Sequence, residues 1–89
     1  MRLAVSSSRF RKDLKLARKR GLDLGRIASV VTSIQQDGLP PGCTRPHLLV
    51  GNWAGHLECH IEPDWLLIYQ VDDQEVRLLR TGTHSDLFG

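Results

Sequence analysis

Residues 55–81, GHLECHIEPDWLLIYQVDDQEVRLLRT, decide the fold, because apolar side chains recur there with a period of two rather than 3.6. Leu57, Cys59 and Ile61 alternate with His56, Glu58, His60 and Glu62, which predicts a strand with one apolar and one polar face. The run WLLIYQV from Trp65 is apolar on both faces and predicts a central strand, with Trp53 and Trp65 in the core. EVRLLRT follows an acidic turn at Asp72 and Asp73 and predicts the next strand.

Upstream of His47 the period is helical. Leu3 to Val5 reads as a short strand, and the serines at 6 to 8 supply an N-cap for a helix with its stripe at Phe10, Leu14 and Ala17. Gly21 ends that helix. A second begins near Asp23, buries Leu24, Ile27, Val30, Val31 and Ile34, and stops at Gly38 ahead of Pro40 and Pro41. The fold class is therefore α+β: an N-terminal strand, then a two-helix hairpin packed on a mainly antiparallel twisted sheet of about four to five strands.

With 89 residues and 40 % apolar content, residues 1–89 are expected to form one domain, with a modest core that needs no metal or disulfide staples. Cys43 and Cys59 do not have the spacing of a CxxC metal site and are read as reduced thiols, Cys59 in the core. No apolar run approaches the ~20 residues that span a bilayer, and the N-terminus lacks the apolar stretch of a signal peptide. A cytoplasmic protein without membrane partners is expected. Its net charge of +2 hides an asymmetry, since Arg9, Arg11, Lys12, Lys15, Arg18, Lys19 and Arg20 share their stretch with Asp13 alone. Such a block favours a polyanion by counterion release, and it suits an acidic protein partner as well.

Turn positions then bring chemistry together. If consecutive strands pair antiparallel, a turn near Asp73 sets Leu66 opposite Arg80 and Asp64 beside Gly82, two residues from His84. A turn at Pro63 sets His60 opposite Leu66, and one at Trp53 sets His47 opposite Cys59. Imidazole, carboxylate and guanidinium thus collect at one end of the sheet, a set suited to phosphodiester chemistry. His56 and His60 are ~13 Å apart on a strand and cannot share an ion. A zinc site would need His47, His60 and His84, with Arg80 repelling the cation, so no metal or other cofactor is expected.

The segments HLLVGNWAG, HIEPDWLLIY and RTGTHSDLFG, in this order and spacing, resemble the RelE/ParE superfamily of bacterial toxins, and within it the YafQ-like messenger RNA interferases. The resemblance is strongest from His47 to Gly89; across the helices mainly the basic, amphipathic character agrees. It implies a RelE-like fold and the toxin of a type II toxin–antitoxin pair, which cuts messenger RNA in the ribosomal A site and is neutralised by a cognate antitoxin protein. Carried over by position, His47, His60, Asp64 and His84 stand at the functional positions, Arg80 at that of a phosphate-contacting arginine, and Phe88 at that of an aromatic that positions the base.

Metal-independent RNA cleavage needs a base for the 2'-hydroxyl, an acid for the departing 5'-oxygen and positive charge at the phosphate. His84 is the expected acid, oriented by Asp64; Asp64 or His60 is the base; Arg80 holds the phosphate. His47 contacts phosphate or tunes His60, and Phe88 stacks on a base. Lys12, Lys15, Arg18 and Lys19 are the expected contacts to the ribosome. Two other readings use the same fold: a ParE-like toxin that is not a nuclease, and a basic nucleic-acid-binding module without catalysis.

Overall fold

Two helix starts follow from single polar side chains. In the computed structural model, which describes residues 1–42 and 46–89, the Ser7 hydroxyl accepts the Phe10 N–H at 3.0 Å and opens α1 (Ser8–Lys19). The Asp23 carboxylate accepts the Gly25 N–H at 2.9 Å and opens α2 (Leu24–Asp37). That helix closes at Gly38, whose φ of 78° is the left-handed conformation a residue with a Cβ avoids. The chain enters through β1 (Leu3–Ser6), and after the helices it forms β2 (His47–Leu48), a 3-10 turn at Gly51–Trp53, β3 (Leu57–Glu62), β4 (Trp65–Val71), β5 (Glu75–Gly82) and a closing helix α3 (His84–Phe88). Cys43 lies outside the described residues.

The five strands order as β1-β5-β4-β3-β2. β1 runs parallel to β5, and every other pairing is antiparallel. β4 is central, as its unbroken apolar run requires, and Trp65 to Tyr69 are all buried. Its period-two alternation serves two clusters. Trp65, Leu67 and Tyr69 pack with Phe10, Ala17, Ile27 and Ile34 under the helices. Leu66 and Ile68 meet Leu87 of α3, with Leu49, Trp53 and Leu79 partly buried around them. Cys59 is buried in the helix-side cluster, whereas Trp53 reaches only half-burial.

The strand registers refine the sequence expectations. His60 does stand opposite Leu66. Leu66, however, is paired with Gly82 and not Arg80: the hairpin already pairs Val71 with Val76, one residue beyond a turn centred on Asp73, and β4 and β5 shift by one more between Ile68 and Tyr69. A β-bulge there adds a residue to one strand, which no turn-centred count anticipates. His47 is opposite Glu58 and not Cys59, so its side chain shares a sheet face with Glu58 and His60. The C-terminal helix is the one element without a counterpart in the expectations.

Candidate active site

Beyond the bulge, the β4–β5 register continued two residues past Leu66 and Gly82 brings Asp64, in the β3–β4 turn, across from His84 at the start of α3. The contact is close. Asp64 Oδ1 lies 2.7 Å from His84 Nδ1 and also accepts the His84 main-chain N–H at 3.1 Å. These two bonds, the side-chain one first, hold the Asp64 carboxyl below the usual carboxylate range. An ionised carboxylate at Nδ1 requires the ring proton on that atom, so Nε2 is the nitrogen presented for proton exchange.

His60 is beside this pair. Its ring centroid is 5.9 Å from that of His84, and the Phe88 ring, one helical turn along α3, is 6.4 Å from His84. All three rings are exposed, as a site open to a polymer requires. His47 approaches from β2, where its Nδ1 is 3.9 Å from Glu58 Oε1; His60 Nε2 is also 3.9 Å from that oxygen. Glu58 is therefore a carboxylate held between two imidazoles, and its side chain is only 11 % exposed. An open cleft of about 360 Å³ runs beside His47, Glu58 and His60.

Glu58 is the residue that sequence reasoning missed. It sits on the polar face of β3, two residues from His60, and that alternation was the available signal. The structure also yields a different ligand set from the three histidines of the zinc alternative. One ligand atom each of Glu58, His60 and His84 lie within 4.8 Å of one another, a carboxylate and two imidazoles that fit a transition-metal ion.

Arg80 turns toward α1. Its Nε and one terminal nitrogen donate to the two oxygens of Asp13 at 3.0 and 2.9 Å, and Asp13 also accepts the Thr81 N–H at 3.1 Å. Both side chains are largely buried, and the Asp13 hydrogen bond holds the guanidinium firmly protonated. Much of its charge is thus met within the fold. The basic side chains Arg9, Arg11, Lys12, Lys15, Arg18 and Lys19 are exposed along α1. Among the described residues, no helix is long and apolar enough to cross a membrane.

Comparison with known proteins converges on one group. A family model described as bacterial toxin of type II toxin-antitoxin system, YafQ, matches residues 2–89. The mRNA interferase toxin YafQ of Escherichia coli strain K12 is 43 % identical over 84 residues, covering 93 % of this chain and 91 % of that protein. The toxin chain of the E. coli DinJ-YafQ toxin-antitoxin complex superposes with a TM-score of 0.85 at 42 % identity, covering 99 % of this chain and 98 % of that one. A metal-bound toxin from Helicobacter pylori superposes with a TM-score of 0.84 at 38 % identity, covering 99 % and 100 %.

Proposed function

Because the chain belongs to the YafQ family of bacterial toxins, with a RelE-like α+β fold, it is the toxin of a type II toxin–antitoxin pair and an mRNA interferase, and we propose that it cuts messenger RNA in the ribosomal A site by metal-independent acid–base catalysis. The observation that carries the mechanism is the cluster of Asp64, His84, His60 and Glu58. In this reading His60 takes the proton of the 2'-hydroxyl, whose oxygen attacks the adjacent phosphorus. The bond from phosphorus to the 5'-oxygen breaks, and His84 Nε2 gives that oxygen its proton. The product is a 2',3'-cyclic phosphate, open to hydrolysis to the 3'-phosphate.

Asp64 serves better as the orienting carboxylate than as the base, since the oxygen nearest the site already accepts two bonds from His84. Glu58 orients His60 and His47, and His47 meets the phosphate from the β2 side. Arg80 adds positive potential through the donors that Asp13 leaves, and Phe88 stacks on the base beside His84. Lys12, Lys15, Arg18 and Lys19 face ribosomal RNA. A cognate antitoxin is the protein partner, as DinJ is for the E. coli relative. Action on translating ribosomes locates the protein in the cytoplasm.

Primer extension on a message translated in an extract, with and without the protein, tests this reading. Discrete in-frame cuts that vanish with His84→Ala are the expected result; cuts retained by that variant, or equal cutting of free RNA, would overturn it. Metal independence has its own check. A soft divalent ion fits Glu58, His60 and His84, and bound there it would occupy the ring nitrogens the proton transfers use. Cleavage is expected to survive EDTA and to fall on adding zinc; loss of activity in EDTA would refute the metal-free step.

A further inference from the structure

α3 is five residues long, too short to hold a helical conformation alone, yet it carries both His84 and Phe88. Its own resources are few. Thr83 and Asp86 form a reciprocal cap: the Thr83 hydroxyl accepts the Asp86 N–H at 3.1 Å, and Asp86 Oδ2 accepts the Thr83 N–H at 2.9 Å. Leu87 is buried against β4. A further tie comes from a residue 66 positions away in sequence. Arg20, the C-cap residue of α1, donates to Asp86 Oδ2 at 2.6 Å and to Oδ1 at 3.3 Å. Gly82 makes room for the arrangement, because a Cβ there would lie 2.9 Å from Asp86 Oδ2.

We propose that Arg20 is a positioning residue for RNA cleavage: its two-point ion pair with Asp86 latches α3 to the end of α1 and so fixes the His84 imidazole against Asp64 and beside His60. The proposal rests on His84 taking part in the reaction, as the acid of the cleavage step. An exposed ion pair contributes little to stability by itself, and its worth here is geometric. Asp86 sits two residues from His84 within a single turn, so loss of its anchor is transmitted to the imidazole through one rigid segment. Arg20 is also distinct from its basic neighbours on α1, because it is committed to this contact.

The test compares Arg20→Met, which keeps the apolar stem, with Arg20→Lys and Asp86→Asn in the full-length toxin. For each, amide hydrogen exchange at residues 84–88, the urea midpoint, and kcat and KM on ribosome-bound message are measured. Arg20→Met is expected to speed exchange at His84 and Leu87, to leave the midpoint nearly unchanged, and to lower kcat about 10- to 100-fold at constant KM. Arg20→Lys should restore part of the loss. Unaltered exchange in α3 overturns the latch, and so does faster exchange with kcat unchanged. His84→Ala is assayed alongside: if it retains cleavage, the functional reading fails, whatever the exchange data show for Arg20.

Discussion

A single carboxylate between two imidazoles makes Glu58 the most informative residue for mutation. Glu58→Gln keeps the size and removes the charge that His47 and His60 both face at 3.9 Å. If Glu58 orients the proton-transfer groups without exchanging a proton itself, cleavage should fall by less than the roughly 10²- to 10⁴-fold expected from losing an acid or base. Single-turnover cleavage of ribosome-bound message measures this, and a loss as deep as that of His60→Ala would make Glu58 the base instead. The same residue shows what the sequence could reveal. His60, Asp64 and His84 were legible because Pro63 and the Asp72–Asp73 turn determine which strand positions meet. Glu58 was not, since a one-residue difference between β2 and β3 decides whether His47 faces it or Cys59. The commitment of Arg80 to Asp13 was equally hidden, because those residues are 67 apart and nothing in a strand register relates them to α1.

The β4–β5 hairpin is the element that delivers His84 to Asp64, and its turn is built on Asp72. That carboxylate accepts the N–H groups of Gln74 and Glu75 at 2.8 Å each and receives Arg77 at 2.9 Å. The Arg77 hydrogen bond, then the two main-chain donors, draw its carboxyl down to about 2. A depressed carboxyl stabilises the fold above the pKa of the unfolded chain, about 4, and that contribution disappears as pH falls through the folded value. The urea midpoint of the native protein should therefore exceed that of Asp72→Asn by a constant margin from about pH 7 to 5, with the margin closing below about pH 4. A margin that persists at about pH 2 would show that the turn relies on hydrogen bonding and not on charge. Both helices of the helical hairpin and the strands β1, β3, β4 and β5 were legible in the sequence. The bulge between Ile68 and Tyr69 was not, since it is one residue with no composition of its own. α3 was not either: one turn is too short to show a period, and its signal was the Thr83-to-Asp86 spacing of a reciprocal cap.

At the scale of the whole molecule, a sheet with apolar clusters on both faces leaves the imidazole cluster and the basic helix on different surfaces. The imidazole cluster lies where β2, β3, the β3–β4 turn and α3 meet, while the exposed cations line α1, which packs on β5 under the helix-side cluster. The net charge of +2 conceals this division, because nine of the ten acids fall outside the stretch that holds Arg9 to Arg20. Within that stretch the one acid, Asp13, is engaged by Arg80, and Arg20 by Asp86, so the charges left to solvent on α1 are all positive. Recognition and chemistry should then separate on mutation. Reversing Lys15 and Arg18 to Glu is expected to weaken ribosome binding and to reduce the slope of log affinity against log salt by roughly one for each phosphate that the helix no longer neutralises. Cleavage of message by the fraction that does bind should proceed at the native rate, since neither residue touches the imidazole cluster. Sedimentation with ribosomes across a salt series gives the slope, and single-turnover cleavage at saturating ribosome gives the rate. An unchanged affinity would reject docking through α1, and a reduced rate at full occupancy would mean that the helix positions the message as well as the ribosome.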